Sequence, residues 1–578
     1  MASLPKLLNS LLLVLIALLP SSLAASMQPV RAPHAMVVSV QALASQAGID
    51  ILKQGGNAVD AAVATGFALA VVHPQAGNLG GGGFMLFRSA KGDTHFIDFR
   101  EKAPSKATAR MYLDEHGNVI PDASLVGYRA IAVPGSVAGL AYAQKKYGRL
   151  SLQQVIAPAI RLARDGFSLN WAEAEELHDD GLGRFPESRR IFQRNGNYFQ
   201  AGEILRQPEL ANTLDKIGRD PEDFYRGEMA HQIAAAIQTG GGLITTQDLA
   251  GYEVKERTPV RGTYRGYEII SAPPPSSGGI ALVEALNILE GYNLARLGDH
   301  SAESVHMIAE AFRRVFFDRA EFLGDPDFAK IPVAQLVDKH YGEAWRASLN
   351  PQRASVSASL RRPAEFNQLE RYAAKNPQPT ALPEPEHTTH YSVVDSEGSA
   401  AGVTTTLNDS FGSRVTVPGL GYLLNDEMDD FSSKPGVPNM FGLIQGPANA
   451  IGPAKRPLSA MTPTIILKNG KLFLVLGSPG GPRIITTVAN IFLGVVDYGL
   501  NLQEAVDTPR FHHQWLPDKL YIEKDTSPDT VKLLESMGHQ VEVGNYWSDG
   551  ECIEIDLKSG ERLGASDQRN AAGKAIGY

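Results

Sequence analysis

Two pairs of alternating apolar segments in the C-terminal third constrain the fold most strongly. The segment PTIILK is followed by Asn469-Gly470 and then by KLFLVLG, and an Asn-Gly pair between alternating apolar residues is a strong signal for a β-hairpin. HYSVVD, a Ser-Glu-Gly turn and AAGVTTTLN predict a second hairpin. Helices are predicted over residues 484–498 and from Leu502. Strand pairs with helices between and around them predict a layered α/β sandwich.

The N-terminal part adds helices and a third hairpin. Residues 39–72 predict two helices that are separated by Gly55-Gly56-Asn57, and residues 84–99 predict a buried hairpin. Four glycines, Gly80 to Gly83, precede this hairpin, but no lysine-plus-hydroxyl pair follows them as in a phosphate-binding loop. We therefore interpret the glycines as sites of close backbone packing. Residues 133–319 are predicted to be mostly helical.

Composition and the N-terminus restrict the class of protein. The net charge is −9 and the pI about 5.9, which argues against nucleic acid as the main partner. Residues 1–24 combine one lysine, an apolar run and a small-residue end, so they predict a signal peptide for export. The apolar run is too short to span a membrane, and no stable membrane span is expected. The single cysteine, Cys552, is expected to be a buried apolar residue.

Two adjacent threonines stand at the start of a predicted strand, in EPEHTTHYSVVD. They follow a polar, proline-rich segment, residues 350–386, which is typical of an exposed part of a chain and of a cleavage site. One interpretation is a loop that enters a strand. The other is that the chain is cut before Thr388, so that its α-amino group, with a pKa of roughly 7.7–8.0, becomes the base for its own hydroxyl.

Polar residues elsewhere fit a small zwitterionic substrate. Arg100 ends a predicted strand and can hold a carboxylate with its guanidinium fork. Asn408 and the acidic run Glu427-Met428-Asp429-Asp430 can bind an ammonium group, and Ser459 precedes a strand where its hydroxyl can bond a carboxylate. Taken alone, each has another interpretation: Arg100 as a surface arginine, the acidic run as a solvated loop and Ser459 as a turn serine. Together they match a substrate that carries both an α-amino and an α-carboxylate group.

Two further motifs carry chemical hypotheses. Gly480-Gly481 directly follows a predicted strand, where bare backbone N–H groups can form an oxyanion hole, although a simple turn is the alternative. His512-His513 suggests a metal site at first sight. Adjacent residues on a strand point in opposite directions, and no ligand cluster of suitable spacing accompanies the pair. We therefore expect no metal ion, and His387 and His390 are similarly isolated.

Long motifs in the same order resemble the bacterial γ-glutamyltranspeptidases. They are DFRE, PPPSSGG, TTHYSVVD, TLN, MDDFS, KRPLS, GSPGG and PRFHHQWLPD, and the likeness runs from about His34 to the C-terminus. The resemblance implies an N-terminal-nucleophile hydrolase fold of four αββα layers. It also implies a precursor that cuts itself into a large chain, residues 25–387, and a small chain, residues 388–578. These chains would remain together as a heterodimer, and the bacterial likeness favours the periplasm.

The resemblance also assigns a reaction. Thr388 would be the nucleophile, Thr406 would steady it, and Gly480 and Gly481 would form the oxyanion hole. The implied reaction transfers the γ-glutamyl group of glutathione or a related amide to Thr388 as an ester. Water, an amino acid or a dipeptide then accepts the group, and the implied reaction needs no cofactor.

Substrate-binding roles are implied in the same way. Arg100 and Ser459 would hold the α-carboxylate of the γ-glutamyl group. Asn408, Glu427 and Asp430 would hold its α-amino group.

Three residues depart from the pattern of the family. Glu427 stands where many bacterial members have glutamine, and an acid there still suits an ammonium ligand. Ala460 follows Ser459 where a second serine is common, so substrate binding weakens if that position acts through its hydroxyl. Phe441 lies in the presumed lid, KPGVPNMFGLIQG, where several members have tyrosine. Our hypothesis is a lid that closes less firmly and shifts the balance toward hydrolysis.

Two alternatives stay open at this point. One is an acylase for glutaryl or cephalosporin side chains on the same scaffold. Such substrates lack the α-amino group, so the retained Asn408, Glu427 and Asp430 argue against it. The other is an exported binding protein that has kept the pocket but is never cut. The intact pair of Thr388 and Thr406 argues against that.

Overall fold

The structure is a computed structural model that describes residues 27–366 and 388–578. The predicted signal peptide lies outside these residues, as does the segment that directly precedes Thr388 and contains the predicted cut. No helix within the two described ranges has the length and apolar character that a membrane crossing requires.

Strands of the described residues form two large sheets and two small ones. In chain order they are β1 (Val30–Ala32), β2 (Met36–Ser39), β3 (Gly82–Arg88), β4 (Thr94–Asp98), β5 (Phe167–Ser168), β6 (Ile204–Leu205), β7 (Lys255–Arg257), β8 (Val260–Tyr264), β9 (Tyr267–Ser271), β10 (Thr388–Val394), β11 (Ala400–Thr406), β12 (Thr464–Lys468), β13 (Lys471–Leu476), β14 (Phe511–His512), β15 (Leu520–Glu523), β16 (Val541–Gly544), β17 (Glu551–Ile555), β18 (Arg562–Ser566) and β19 (Lys574–Gly577).

Each large sheet has seven antiparallel strands and contains one of the predicted C-terminal hairpins. One sheet has the order β19-β2-β10-β11-β3-β4-β7, and the other has the order β1-β18-β17-β13-β12-β9-β8. Strands β10 and β11 pair in register along their whole length, from Thr388 opposite Thr406 to Val394 opposite Ala400. Strands β12 and β13 pair across Asn469-Gly470, with an irregularity after Ile466. Both hairpin predictions are confirmed.

Helices cover the outer faces of both sheets. In chain order they are α1 (Ala42–Lys53), α2 (Ala58–Val72), α3 (Ser136–Tyr147), α4 (Leu152–Asp165), α5 (Trp171–Glu176), α6 (Asp180–Gly183), α7 (Pro186–Phe192), α8 (Pro208–Arg219), α9 (Asp223–Arg226), α10 (Glu228–Thr239), α11 (Thr246–Ala250), α12 (Gly278–Leu289), α13 (Leu294–Leu297), α14 (Ala302–Phe322), α15 (Val333–Leu336), α16 (Lys339–Ala347), α17 (Arg483–Val496), α18 (Leu502–Asp507) and α19 (Pro528–Ser536).

Strand β10 shows how the layers stack, because its side chains alternate between two buried surfaces. Tyr391 and Val393 pack in the hydrophobic core that helix α2 forms over one sheet. Ser392 points the other way, and its hydroxyl donates a hydrogen bond of 2.8 Å to the carbonyl of Glu551 in the other sheet. Two antiparallel sheets therefore lie between layers of helices, and the predicted αββα sandwich is confirmed.

One part of the sequence interpretation needs correction. Residues 255–271 belong to the stretch that was expected to be mostly helical, but they form β7, β8 and β9. Strands β8 and β9 are joined at Arg265-Gly266, which have φ values of +46° and +80°. A turn with two positive φ angles matches the twist of a hairpin, so strand pairing prevails over helix formation here. Cys552 is buried as predicted, and burial raises the pKa of its thiol.

Candidate active site

The two threonines of the predicted nucleophile pair lie side by side in a buried position. Thr388 begins β10, and its register partner on β11 is Thr406. The Thr388 hydroxyl donates a hydrogen bond of 3.2 Å to the Thr406 hydroxyl oxygen. That oxygen also accepts a bond of 2.9 Å from the backbone N–H of Asn408. Thr406 is thus fixed from its own loop and sets the direction of the Thr388 side chain.

The four-glycine run lets β3 approach the strand that carries Thr406. A Cβ atom on Gly81 would lie 2.0 Å from the carbonyl oxygen of Thr406, and one on Gly83 would lie 2.3 Å from that of Thr404. Any side chain at these positions would push the two strands apart. The prediction of close backbone packing is confirmed.

Arg100 lies at the centre of a buried group of charges. It follows β4, and its backbone N–H is fixed by a 2.9 Å bond to the Asp98 carboxylate. Its guanidinium forms ion pairs with Glu427 and Asp430, and it lies 3.6 Å from the Glu101 carboxylate. The side chains of Arg100, Glu101 and Glu427 have no exposed surface. One guanidinium therefore faces three carboxyl groups away from water.

Competition among these acids changes their protonation. Burial raises the pKa of Glu101 to about 7, although Arg100 opposes the shift. Burial likewise raises the pKa of Glu427 well above its usual value, again against the effect of Arg100. Burial disfavours the charge on Arg100 itself, yet Glu427 and Asp430 hold its pKa above the ordinary range. Arg100 therefore stays charged, while burial favours the protonated form of both glutamates.

A short 3₁₀ helix, Glu427–Asp430, presents the acids toward Arg100. Its start is fixed by Asn425, whose side-chain oxygen accepts a 3.0 Å bond from the backbone N–H of Glu427. The Asn425 amide nitrogen donates to the carbonyls of Gly80 and Ala132, at 2.7 and 2.9 Å. The acidic run is therefore not a solvated loop, because the backbone of the glycine-rich segment holds it in place.

A cavity that is partly open to solvent, with about 310 Å³ of empty space in total, brings most of the predicted site residues together. Its lining includes ten of them: Arg100, Thr388, Thr406, Asn408, Glu427, Asp430, Phe441, Ser459, Ala460 and Gly481. Gly480 directly precedes Gly481, and both have positive φ angles, of +119° and +52°. The turn follows β13 and leads into α17, so its backbone is placed at the edge of the sheet that faces the nucleophile. The roles of these residues remain predictions.

Arg319 also lines this cavity, and the sequence analysis did not identify it. It lies near the end of α14, is only 3% exposed, and donates from Nε to the Ser277 hydroxyl at 3.0 Å. Burial lowers its pKa to about 10, an effect that Asp430 opposes. The available signal was a basic residue in VFFDRAEF, a run that also contains the acids Asp318 and Glu321. The cavity thus has two arginines, not one.

The loop with Ser459 and Ala460 is held by the upstream PPPSSGG motif. The backbone N–H of Ser277 donates to the carbonyl of Ser459 at 2.8 Å, and its hydroxyl donates to the same oxygen at 2.7 Å. Ser459 in turn donates its N–H to the carbonyl of Pro275 at 2.8 Å. Two segments that are far apart in sequence therefore form one wall of the cavity.

Phe441 covers the turn with the two glycines. A Cβ atom on Gly481 would lie 2.7 Å from the Phe441 ring, so the ring rests directly against the Gly481 backbone. Phe441 is only 6% exposed. Residues 434–446, which we call the lid segment, thus lie over the cavity on the side of the Gly480-Gly481 turn, which we call the oxyanion turn after its predicted role.

Comparison with known proteins decides the family. A family model described as Gamma-glutamyltranspeptidase matches residues 44–578. The chain belongs to the γ-glutamyltranspeptidase family. Within this family it is similar to the protein of Escherichia coli (strain K12) named glutathione hydrolase proenzyme, with 50% identity over 554 residues, 95% of this chain and 93% of that protein.

Solved structures support the same assignment of the fold. The crystal structure of cephalosporin acylase from Bacillus halodurans matches with a TM-score of 0.81 at 27% identity, covering 97% of this chain and 99% of that one. The crystal structure of Helicobacter pylori γ-glutamyltranspeptidase matches with a TM-score of 0.56 at 43% identity, covering 57% of this chain and 96% of that one. The resemblance to this family and its fold is confirmed.

One group of possible metal ligands lies outside the cavity. His306, Glu310 and His539 are buried close together, and the sequence analysis did not predict this group. However, Glu310 already accepts 2.9 Å bonds from both Arg313 and Arg314. Two guanidinium groups beside the carboxylate oppose a divalent cation, so we assign no metal to the group.

Proposed function

We propose that this chain is a γ-glutamyltransferase and glutathione hydrolase whose nucleophile is Thr388. The observation that carries the proposal is the geometry of the cavity. The Thr388 hydroxyl contacts Thr406 at 3.2 Å, in the same cavity as a buried guanidinium that is paired with two acids. A nucleophile beside a zwitterion-binding group suits a γ-glutamyl amide, whose α-amino and α-carboxylate groups lie at one end of the molecule.

The nucleophile must first become a chain terminus. We propose that the Thr388 hydroxyl attacks the carbonyl carbon of His387 and takes over the acyl group as an ester, which releases the Thr388 nitrogen. Water then opens the ester. The products are a large chain, residues 25–387, and a small chain, residues 388–578, and the name proenzyme of the E. coli relative agrees with such processing. The freed amine then acts as the general base.

The charged groups suggest how the substrate enters. Arg100, Glu427 and Asp430 pair with one another in the structure. We propose that the α-carboxylate of the substrate binds Arg100 and Ser459, while its ammonium group binds Asn408, Glu427 and Asp430. Such an exchange replaces ion pairs within the protein by ion pairs with the substrate. The site keeps its net charge, so little uncompensated charge is buried on binding.

Acyl transfer follows from the same placement. The Thr388 oxygen attacks the γ-carbonyl carbon, and the α-amino group of Thr388 accepts its proton. The backbone N–H groups of Gly480 and Gly481 are proposed to stabilise the oxyanion. Breaking the amide bond releases the amine, which receives the proton, and leaves a γ-glutamyl ester on Thr388. Water, an amino acid or a dipeptide then attacks the ester.

Location and assembly belong to the same proposal. We infer export by the signal peptide over residues 1–24 and activity in the periplasm. The two chains from one precursor are expected to remain a heterodimer, because β10 and β11 of the small chain lie between β2 and β3 of the large chain in one continuous sheet. In this sheet alone, separation would break the pairs β19 with β2, β2 with β10 and β11 with β3, and the exposed strand edges are unfavourable.

Substrate choice and the nucleophile can be tested together. Wild-type protein is expected to hydrolyse a γ-glutamyl anilide and not a glutaryl anilide, because only the former carries the ammonium group that the acids bind. Activity on the glutaryl compound alone would favour the acylase alternative. Thr388→Ser is expected to retain processing and activity at a reduced rate. Thr388→Ala is expected to stay uncut and inactive, and an active Thr388→Ala variant would refute the proposal.

A further inference from the structure

The PRFHHQW motif contacts the lid segment through one side chain. The amide nitrogen of Gln514 donates a 3.0 Å hydrogen bond to the carbonyl of Phe441. Gln514 is only 2% exposed, so water does not compete for this bond. Phe441 is the lid residue whose ring rests against Gly481. A buried glutamine thus contacts the lid at the residue that covers the oxyanion turn.

The direction of each bond in this group follows from the donors and acceptors. A carbonyl only accepts, so the Gln514 –NH₂ group faces Phe441 and its oxygen faces His512, at 2.8 Å from Nε2. That oxygen also only accepts, so Nε2 of His512 carries the proton. Because burial keeps the pKa of His512 well below its usual value, the ring is neutral and Nδ1 is an acceptor. The Thr486 hydroxyl lies 3.0 Å from Nδ1 and also 3.0 Å from the carbonyl of Arg483, so its single proton is shared between these two acceptors.

These contacts form a chain from helix α17 to the lid. Thr486 lies in the first turns of α17, the helix that begins directly after Gly481-Pro482. We propose that Gln514 is a positioning residue that holds the lid segment closed over the oxyanion turn, with its amide oriented by His512 and Thr486. We call this chain, Thr486–His512–Gln514, the latch.

The chemistry of Phe441 explains why a main-chain latch matters in this protein. A phenylalanine has no hydroxyl with which to bond across the cavity, so the lid is held through its backbone. On the other side of Phe441, the N–H of Met440 donates a 3.1 Å bond to the Asp429 carboxylate. The second oxygen of Asp429 accepts a 2.7 Å bond from the Ser124 hydroxyl. The lid is therefore fixed on both sides of its covering residue.

The consequence for catalysis rests on the proposed function. A closed lid shields the γ-glutamyl ester on Thr388 from water while an amine acceptor is bound. Loosening the latch admits water more often and shifts the partition of the ester toward hydrolysis. Gln514 contacts neither Thr388 nor the groups proposed to bind the substrate, so its effect should appear in this partition.

Gln514→Met tests the latch, because methionine keeps the length of the side chain and removes its hydrogen bonds to Phe441, to His512 and, at 3.4 Å, to the carbonyl of Leu516. The readout is cleavage by chymotrypsin within residues 440–443, identified by mass spectrometry on the whole protein. Loss of one neutral buried hydrogen bond should speed this cleavage about fivefold. The ratio of hydrolysis to transfer, with a γ-glutamyl anilide and a dipeptide acceptor, should rise by a similar factor.

Two comparisons separate a latch from a general loss of packing. Gln503→Met changes another buried glutamine, which donates to Asp507 and to the Ser566 carbonyl and is expected to leave the cleavage rate unchanged. Thr486→Val removes the first donor of the chain and should also speed cleavage. Combined with Gln514→Met it should add less than about twofold, because both changes break the same chain.

These experiments test the latch independently of whether the protein has the proposed activity. Chymotrypsin cleavage of Gln514→Met at the wild-type rate, with an unchanged hydrolysis ratio, would overturn the inference, and so would full additivity with Thr486→Val. If Gln514→Met does not accumulate as folded protein, Gln514→Leu provides the same test, because leucine has no group that can donate to the carbonyl of Phe441. A wild-type protein without γ-glutamyl activity would contradict the proposed function, while the cleavage rates would still test the latch.

Discussion

Replacing Glu427 by glutamine should make the protein more stable and bind its substrate less well. Glu427 is completely buried. Among the described residues, neither of its carboxylate oxygens has a hydrogen-bond partner, although Oε1 forms an ion pair with Arg100. Glu101 and Asp430 compete for the same guanidinium. Since burial raises the pKa of Glu427 well above the usual value, its ionised form is unfavourable in the folded protein.

The two effects have different sizes. Glutamine has nearly the same shape and no charge, so replacing a buried carboxylate that competes with Glu101 and Asp430 for one guanidinium should raise the free energy of unfolding by about 1–3 kcal/mol. The substrate ammonium group loses one charge-assisted contact but keeps a bond to the amide oxygen, which corresponds to about 1.4 kcal/mol or a tenfold rise in KM. The contact is remote from the reacting carbonyl and is made in both ground and transition states. The kcat value should therefore change by less than about twofold.

The assay combines denaturant unfolding with steady-state kinetics on a γ-glutamyl anilide. Glu101→Gln is the matched control, because Glu101 is equally buried beside Arg100 but is not part of the cavity lining. Glu101→Gln should also gain stability. Its KM should stay within about twofold of wild type, because Glu101 does not contact the substrate directly in the proposed complex. A loss of stability in Glu427→Gln, or an equal rise of KM in Glu101→Gln, would refute our account of the acid cluster.

Three further outcomes follow from the same site. The stability of Glu101→Gln relative to wild type should grow as pH rises from about 4.3 to about 7. In that window the folded wild type binds more protons than its unfolded chain, so the wild type loses stability as pH rises while the variant does not. Denaturant unfolding at several pH values measures this difference. Gly480→Ala places a side chain at φ +119° and 2.1 Å from the Ser548 hydroxyl, so kcat should fall about 100-fold. Phe441→Tyr should raise the rate of transfer relative to hydrolysis. An unchanged ratio of the two rates would contradict the hypothesis of a looser lid.

Local sequence patterns predicted the elements that carry the nucleophile. The alternation in HYSVVD and AAGVTTTLN, with a turn between them, was sufficient for β10 and β11, because a two-stranded pair with buried faces has one favourable register. Asn469-Gly470 identified the second hairpin for the same reason. The stacking of two sheets followed from the need of each hairpin to bury a face.

Charges that interact over long sequence distances were harder to predict. Asn408, Glu427 and Ser459 came from motifs, but Arg319 enters the cavity from a helix that no motif connects to it. Glu101 was missed although it directly follows Arg100, because the sequence does not show that both side chains are buried. Strands β8 and β9 were missed because their turn, Arg265-Gly266, lies within a mostly helical region. The role of the HHQ sequence depends on where the lid lies, which no local pattern specifies.

The most direct test of the central claim is the intact mass of the purified, incubated protein together with the N-terminal sequence of each chain. Our account predicts two chains that remain associated, the smaller one beginning TTHYSVVD at Thr388. It also predicts a single uncut chain for Thr388→Ala under the same conditions. A wild-type chain that stays intact and nevertheless hydrolyses a γ-glutamyl anilide would contradict the claim that a freed threonine is the catalyst.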